Sequence, residues 1–443
     1  MPEELKDKIK NIWMFLVLIT IIFQNNSVAQ EKQNTWDLSR CIEYAKNNNI
    51  TLKNLRLNVS SDEQDLKLSK NEKWPDLNAG VSQNLSYSNS SKGFTNSSFG
   101  VNSSVVLYNG NYYNNSIKSN GLLCQEANLN VEAGENDITI QITQAYLNIL
   151  LANENIEYLK DLVQTSTSQV VQCQEKYNAG SVALKDLMQL QSALANDKYS
   201  LVVAENNKRQ NIMTLKKILQ IPPDTIFDVA IPEKTDVQVS LFSLEEVQKY
   251  AIQNMPEMKS SELEISRQKV ELQKAKAGFL PKLSLSGSLN SGFGSYFSST
   301  SDPYFTQLSD KFTPQMGLSL SIPILNHNSS KINVEKSKIR IEQAQLESEN
   351  TRTELMQIVE QAYIDVENAQ NQYVAAGEQL NYAKESYRIS KEQQSLGANN
   401  NVEFLQQKNL YIQAQQTYIQ TKYTLMLHLK IYNFYKGIPV TEQ

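Results

Sequence analysis

Four runs in the chain alternate between apolar and polar residues, which is the pattern of β-strands with one apolar face. The clearest are 283–290 and 316–324, where the apolar residues are mainly Leu and Ile and the others mainly Ser. A weaker alternation covers 77–87 and 99–107. Each run is about ten residues long, the length that a tilted strand needs to cross a bilayer, and a Ser/Asn face suits a wet lumen.

These runs form two predicted hairpins, at 76–107 and 282–324. The segments at their tips, 88–97 and 295–311, are rich in Ser, Gly, Asn and Asp, as exposed loops are. We therefore expect irregular loops at both tips.

A helical period follows each hairpin. Between Ile138 and Tyr177 apolar or small residues recur in alternating steps of four and three, with Ser166 as the single polar member, and a similar series starts at Leu355. Such a series is the seam of a coiled coil. A helix unbroken from about Asn115 to Tyr177 would be about 95 Å long. Because its seam is narrow, we expect neighbouring helices of similar length.

The chain contains an internal repeat. Leu38 matches Leu244, 206 positions later, and Gly180 matches Gly397, 217 positions later, so the second copy has gained eleven residues near its hairpin. Each repeat reads helix, two strands, long helix, turn, long helix. The predicted divisions are a signal peptide at 1–29, a first repeat at 36–220, a linker or equatorial region at 221–241 and a second repeat at 242–436.

The first residues have the pattern of a secretory signal peptide. Lys6, Lys8 and Lys10 precede an apolar run from Ile12 to Phe23, and small residues then mark a cleavage site near residue 29. A lipid anchor would require a cysteine at that point, and the first cysteine comes only at position 41. We expect an exported protein without a lipid anchor.

Composition narrows the function classes. The 15 Gly and 11 Pro in 443 residues are few, which favours long helices, and a net charge of -5 without basic blocks argues against a nucleic-acid partner. His327 and His428 have no nearby ligand set, and no phosphate-binding loop or nucleophile elbow occurs. We expect no enzyme activity, no metal and no cofactor, and we interpret the three cysteines as small buried thiols.

Four strands cannot close into a barrel. An open sheet in lipid leaves backbone groups unpaired at several kcal/mol each, so a membrane-crossing chain would have to oligomerise. Two copies would give about eight strands with a filled interior, whereas three would give about twelve and could leave a lumen. The alternative is a soluble sheet whose apolar face packs on protein.

Ordered motifs resemble those of the TolC-like outer-membrane efflux family from about Trp36 to Tyr435. They are Ala275-Lys276-Ala277-Gly278-Phe279-Leu280-Pro281, Ile322-Pro323-Ile324-Leu325-Asn326, Gln361-Ala362-Tyr363 and Tyr177-Asn178-Ala179-Gly180. The resemblance implies an α+β membrane protein with two internal structural repeats. Three protomers would share a 12-stranded outer-membrane β-barrel, four strands each, continued by a long periplasmic α-helical coiled-coil barrel with a collar at the linker.

The resemblance also implies where the channel closes and where an adaptor docks. The docking residues would be those of the two turns between long helices, which are Ala179, Gly180, Ser181, Leu396, Gly397 and Ala398. Acidic rings would narrow the tip at Glu403, with Asp186 equivalent in the first repeat, Gln406 in place of a second acid and Asn399 in place of a locking arginine. From the residues alone, Gly180 and Gly397 end helices, and Glu403 could be an exposed acid at a helix start.

The resemblance implies a passive exit channel of a tripartite efflux or secretion system in the outer membrane of a Gram-negative bacterium, with a large periplasmic portion. Its partners would be two further copies of itself, a periplasmic adaptor (membrane fusion) protein, an inner-membrane pump and outer-membrane lipid. The alternative is a secreted coiled-coil structural or surface protein, which would share the heptads but leave the paired amphipathic hairpins unexplained.

Overall fold

The computed structural model describes residues 35–87, 93–232, 241–296, 301–396 and 398–441. The predicted signal peptide at 1–29 and Gly397 lie outside the described residues, as do parts of both hairpin tips and of the linker. Among the described helices, none is long and apolar enough to span a membrane.

The described residues form both short and long helices and strands of two to fifteen residues. The helices are α1 (Leu38–Asn48), α2 (Ile50–Asn71), α3 (Tyr112–Asn178), α4 (Leu184–Leu219), α5 (Leu244–Asn254), α6 (Pro256–Lys276), α7 (Tyr304–Asp310), α8 (Ser329–Ser395) and α9 (Asn401–Tyr435). The strands are β1 (Thr35–Trp36), β2 (Asp76–Ser86), β3 (Phe94–Tyr108), β4 (Asp228–Val229), β5 (Lys282–Tyr296) and β6 (Thr313–Ser321). Helices α3 and α8 have 67 residues each, about 100 Å, so the long unbroken helix is confirmed.

The chain divides into two compact units. The helical unit takes its described residues from Met1–Lys53, Gly134–Ile252 and Leu355–Gln443. The sheet unit consists of Asn54–Ala133 and Gln253–Glu354 and contains β2, β3, β5 and β6.

The sheet unit contains one four-stranded antiparallel sheet in the order β2-β3-β5-β6. Its register places apolar residues opposite one another, since Val81 faces Phe99 and Val101 faces Leu289. Among the described residues, β2 and β6 each pair on one side only. The sheet therefore ends in two open edges.

The two faces of the sheet differ as the alternation predicts. Neighbours in the register share a face, and one face holds the apolar side chains Leu77, Val81, Leu85, Val101, Leu283, Leu285, Leu289, Met316, Leu318 and Leu320. Asn, Ser and Gly dominate the other face, as at Asn102, Ser286 and Ser319. The apolar face is uncovered within the chain, since Leu77 is 75% exposed and Leu318 is 66% exposed. Such a surface in a protein indicates a contact with lipid or with another molecule.

Two expectations about the second hairpin need correction. The strand predicted to reach Ile324 ends at Ser321, because Pro323 lacks the backbone N–H that a ladder needs. The tip segment 295–311 was expected to be irregular, yet it contains helix α7. Its apolar residues have helical spacing over only seven positions, too few for the period to stand out.

The helical unit buries the predicted seams. On α3, the apolar seam residues from Ile138 to Leu159 are buried, and so are Ser166 and Cys173. Ile156, Leu159 and Leu162 pack against Ala204 of α4, with Ile412 of α9 beside them. The narrow apolar stripe of α3 is thus covered by the other long helices, as a coiled-coil seam must be.

The linker begins as an ordered segment on the helical unit. Val229 of β4 pairs with Trp36 of β1, and the Tyr146 hydroxyl donates a hydrogen bond to the carbonyl of Ala230 at 2.6 Å. The Lys216 ammonium donates to the carbonyl of Pro223 at 3.1 Å. These contacts fix the start of the predicted equatorial region, while 233–240 lie outside the described residues.

Candidate functional site at the two helical turns

The first turn joins α3 to α4 and ends α3 at Asn178. Gly180 has a φ of 72°, a left-handed conformation that costs glycine little. The Ser181 N–H donates to the carbonyl of Lys176 at 2.8 Å, which satisfies a helix-end acceptor in the manner of a Schellman motif. Gly180 therefore ends the helix, as predicted. Ala179 and Ser181 flank it and are exposed.

The second turn joins α8 to α9. Leu396 projects from it and is 83% exposed, and the Ala398 N–H donates to the carbonyl of Gln393 at 2.9 Å. The Asn400 side chain caps α9 by accepting a hydrogen bond from the Glu403 N–H at 2.9 Å. In both turns, backbone hydrogen bonds satisfy the end of one helix, and the next helix begins a few residues later.

A groove of about 600 Å³ lies between the two turns. It brings together four of the predicted residues, Ser181, Asp186, Leu396 and Asn399. Its other lining residues include the cations Lys176 and Lys391 and the amides Gln172, Gln394 and Asn400. An exposed leucine surrounded by amides and charges of both signs is suited to bind a polypeptide, because it offers one apolar anchor and many hydrogen-bond partners.

Asn399 stands where the sequence resemblance implies a locking arginine. Its amide nitrogen donates to the Ser390 hydroxyl of α8 at 3.0 Å. Its buried carbonyl oxygen has no hydrogen-bond partner among the described residues. The side chain therefore holds the turn against α8 and leaves one acceptor unused next to the groove.

The predicted acidic residues do not form one cluster within the chain. Asp186 is half-buried in the first turn of α4 and lines the groove. Glu403 and Gln406 are exposed on α9, one helical turn apart, and Gln406 lines a different depression with Gln189. Any ring of Glu403 side chains would require other copies of the chain.

A buried ion pair beyond the groove went unpredicted. The Lys408 ammonium of α9 lies 2.6 Å from the Asp197 carboxylate of α4, and it donates to the Ser166 hydroxyl of α3 at 2.9 Å. Ser166 in turn donates to Asp197 at 2.6 Å. Lys408 is 2% exposed and Asp197 4%. The one sequence signal for this cluster is Ser166, the single polar residue in the α3 seam.

Aromatic residues pack beside this ion pair. Tyr387 of α8 stacks on Tyr411 of α9 with ring centroids 5.3 Å apart, and Tyr158 of α3 meets Tyr411 edge to face. Burial raises the pKa of both Tyr158 and Tyr387, and Tyr411 and Asp197 raise it further, while a hydrogen bond from Gln169 partly opposes the shift at Tyr387. These phenols stay neutral, so the cluster is a packed layer that joins three helices.

The remaining candidates for chemistry among the described residues are metal-ligand groups and cysteines. In the part of the chain that the structure describes, no group of three His, Cys, Asp or Glu side chains could hold a metal ion. The cysteines at 41, 124 and 173 are buried and free. Burial, and then the nearby Asp186, raises the pKa of Cys173 at the groove, so this thiol is not activated.

Comparison with solved structures relates this fold to outer-membrane channels. CusC aligns with a TM-score of 0.77 and 16% identity, over 92% of this chain and 95% of CusC. The CmeC outer membrane channel of Campylobacter jejuni aligns with a TM-score of 0.72 and 19% identity, over 94% and 92% of the two chains. At these identities the likeness concerns the fold, which is that of outer-membrane channels.

Sequence comparison gives the family. The model of the outer membrane efflux protein family matches residues 41–219 and 247–427, most of the chain. The chain belongs to the outer membrane efflux protein family. A curated relative, the toxin and drug export protein A of Aggregatibacter actinomycetemcomitans, is 24% identical over 291 residues. That match spans 65% of this chain and about 60% of the relative's length.

Proposed function

We propose that the chain is the outer-membrane exit channel of a tripartite efflux or secretion system, and that it works as a homotrimer. The observation that carries the proposal is the four-stranded sheet with one apolar face, one polar face and two unpaired edges. The apolar face would contact lipid and the polar face would line a lumen. Three sheets joined edge to edge, β6 to β2, would give about twelve strands and a barrel without open edges.

The remaining predicted divisions complete this proposal. Residues 1–29 would direct export, and 36–220 and 242–436 would be two structural repeats with the same element order. The linker at 221–241 would contribute an equatorial collar around the long helices, which would form the periplasmic part of the channel.

We infer that the groove between the two turns receives a periplasmic adaptor protein, which in turn binds an inner-membrane pump. Three features support this inference: the exposed Leu396, the unpaired acceptor of Asn399 and the charges of Lys176 and Lys391. The turn residues Ala179, Gly180, Ser181, Leu396, Gly397 and Ala398 would all belong to this docking surface.

The tip would also set ion selectivity. Three copies of Glu403 around a threefold axis would attract cations. Gln406 would lie one helical turn further along α9, and Asp186 would lie in the first turn of α4. The chain itself would supply no energy, bind no cofactor and catalyse no reaction, since the pump would drive transport.

Disulfide cross-linking tests the trimer directly. Single cysteines would be placed along β2 and along β6, on a background in which the three native cysteines are replaced by Ala. Paired variants are expected to give covalent dimers and trimers in membranes when the two positions face each other. The control places the second cysteine in β3, which is already paired on both sides. Monomer at every β2–β6 combination would contradict the proposal.

A further inference from the structure

Helix α7 lies beside the end of strand β5 that β6 leaves unpaired. Strand β6 pairs with β5 only as far as Thr313 opposite Asn290, so residues 291–296 of β5 extend beyond it. There α7 takes its place: the Ser291 hydroxyl donates to the carbonyl of Leu308 at 2.5 Å, and the Gly294 N–H donates to the Gln307 side chain at 3.2 Å. The helix is therefore held against the sheet by hydrogen bonds.

These contacts place α7 on the apolar side of the sheet. Side chains alternate along a strand, so Ser291 and Phe293 share the face of Leu289. Ser291 bonds to α7, and the Phe293 ring lies 4.8 Å from the ring of Tyr304. A cavity of about 500 Å³ between helix and sheet is lined by Phe99, Ser291, Leu308, Ser309 and Phe312. The apolar face of the sheet thus continues onto α7.

The side of α7 that adjoins the apolar face of the sheet carries an apolar stripe. Phe305, Leu308 and Phe312 follow one another at steps of three and four, so they lie on one side of the helix and its C-terminal extension. Phe305 is 81% exposed and Phe312 is 56% exposed. Gln307 is buried and makes the contacts to β5 and Lys311. The polar side chain thus holds the helix in place, while no described residue covers the rings of Phe305 and Phe312.

We propose that α7 and Phe312, which we name the aromatic stripe helix, form an anchor in the headgroup–acyl boundary of the membrane. The proposal rests on the lipid-facing orientation of the sheet given above. A lipid surface is the occupant that fits, because the stripe continues the proposed lipid face at the hairpin tip. Aromatic side chains are favoured at this depth, and interfacial helices bury their apolar side about 5–10 Å into that boundary.

The hydrogen bonds that cover the edge of β5 do not explain why the stripe is apolar. An edge is covered by the bond from Gly294 to Gln307 and by the bond from Ser291 to the Leu308 backbone. Neither bond uses Phe305, which is exposed among the described residues.

Tryptophan fluorescence in brominated lipids tests the anchor. The mature chain would carry Trp36→Phe and Trp74→Phe, and then one of three single probes, Phe305→Trp, Leu318→Trp or Phe94→Trp. Each trimer would be reconstituted into phosphatidylcholine vesicles with bromines either near the headgroup or deep in the acyl chain. Leu318 lies on the apolar face, and Phe94 lies on the polar face beside Gly294.

The expected result has three parts. Phe305→Trp is quenched at least about twofold more strongly by shallow bromines than by deep ones, as its interfacial depth requires. Leu318→Trp is quenched by the deep bromines, and Phe94→Trp keeps its emission in both lipids. Unquenched Phe305→Trp with quenched Leu318→Trp would overturn the anchor and leave the lipid-facing sheet intact. If Leu318→Trp is also unquenched, the sheet orientation fails and the anchor fails with it.

Discussion

At the residue scale, the buried Lys408–Asp197 ion pair connects three helices, because Lys408 of α9 contacts Asp197 of α4 and Ser166 of α3. Its ammonium and carboxylate are 2.6 Å apart and are buried with Ser166. A buried pair that loses one partner leaves an uncompensated charge, at a cost of about 3–5 kcal/mol. Removal of either partner would therefore weaken the packing of α4 and α9 on α3.

We expect Lys408→Met to destabilise the helical unit by about 3–5 kcal/mol, because Asp197 keeps its buried charge. Adding Asp197→Leu should recover most of the loss, since an apolar pair of similar size needs no compensation. Hydrogen exchange of α4 and α9 in the purified trimer measures both effects. The matched control is Lys391→Met at an exposed position. Equal protection in Lys408→Met and in that control would contradict the assigned role.

Glu403 is the residue through which the proposed tip would select ions. It is exposed in the first turn of α9, and three carboxylates near one axis would concentrate cations. Glu403→Gln keeps the size and removes the charge, so we expect cation preference in planar bilayers to fall several-fold. Glu392→Gln, an exposed acid that pairs with Arg388 on α8, is the control. Unchanged selectivity in Glu403→Gln would remove this residue from the constriction.

At the element scale, substitutions on the two faces of the sheet test which face contacts lipid. Leu318 and Ser319 are neighbours on β6 that point to opposite faces. A lysine near the middle of a lipid-facing strand costs about 2–4 kcal/mol, whereas the lumen face tolerates charge. We expect Leu318→Lys to block assembly of trimers in the outer membrane and Ser319→Lys to permit it, as measured by detergent gels of membrane fractions. Assembly of both variants would contradict the orientation.

Several elements could be predicted from sequence because their periods are long or strict. The β5 and β6 alternation gave the correct faces, and the four-and-three series on α3 gave a seam whose members are buried from Ile138 to Leu159 and again at Ser166 and Cys173. Gly180 was recognised as a helix end because a left-handed residue is needed there. Periodic positions carried the strand and seam predictions, and the conformational freedom of glycine carried the helix end.

The remaining features depend on contacts that no local pattern records. Helix α7 has only seven residues, so its spacing could not be told from that of a loop. Lys408 and Asp197 belong to residue types that are usually solvated, and they meet across 211 positions of sequence. Only the polar Ser166 in an apolar seam marked their place. The resemblance placed both turns at one tip, but the lining of the groove between them depends on how their side chains pack.

At the scale of the whole molecule, the sheet and the long helices both require further copies of the chain. Four strands with two open edges cannot stay in lipid alone, and long helices with narrow seams need neighbours of equal length. Three copies would meet both requirements at once. Membership of the outer membrane efflux protein family is consistent with this assembly.

Conductance of the purified mature protein in a planar bilayer, together with its oligomeric mass in the same detergent, tests the central claim most directly. We predict a trimer with a small, cation-selective conductance, because a water-filled barrel would be in series with a tip narrowed by Glu403. A monomer that never inserts, or a trimer that forms no conducting path, would contradict the channel and would favour a secreted coiled-coil protein.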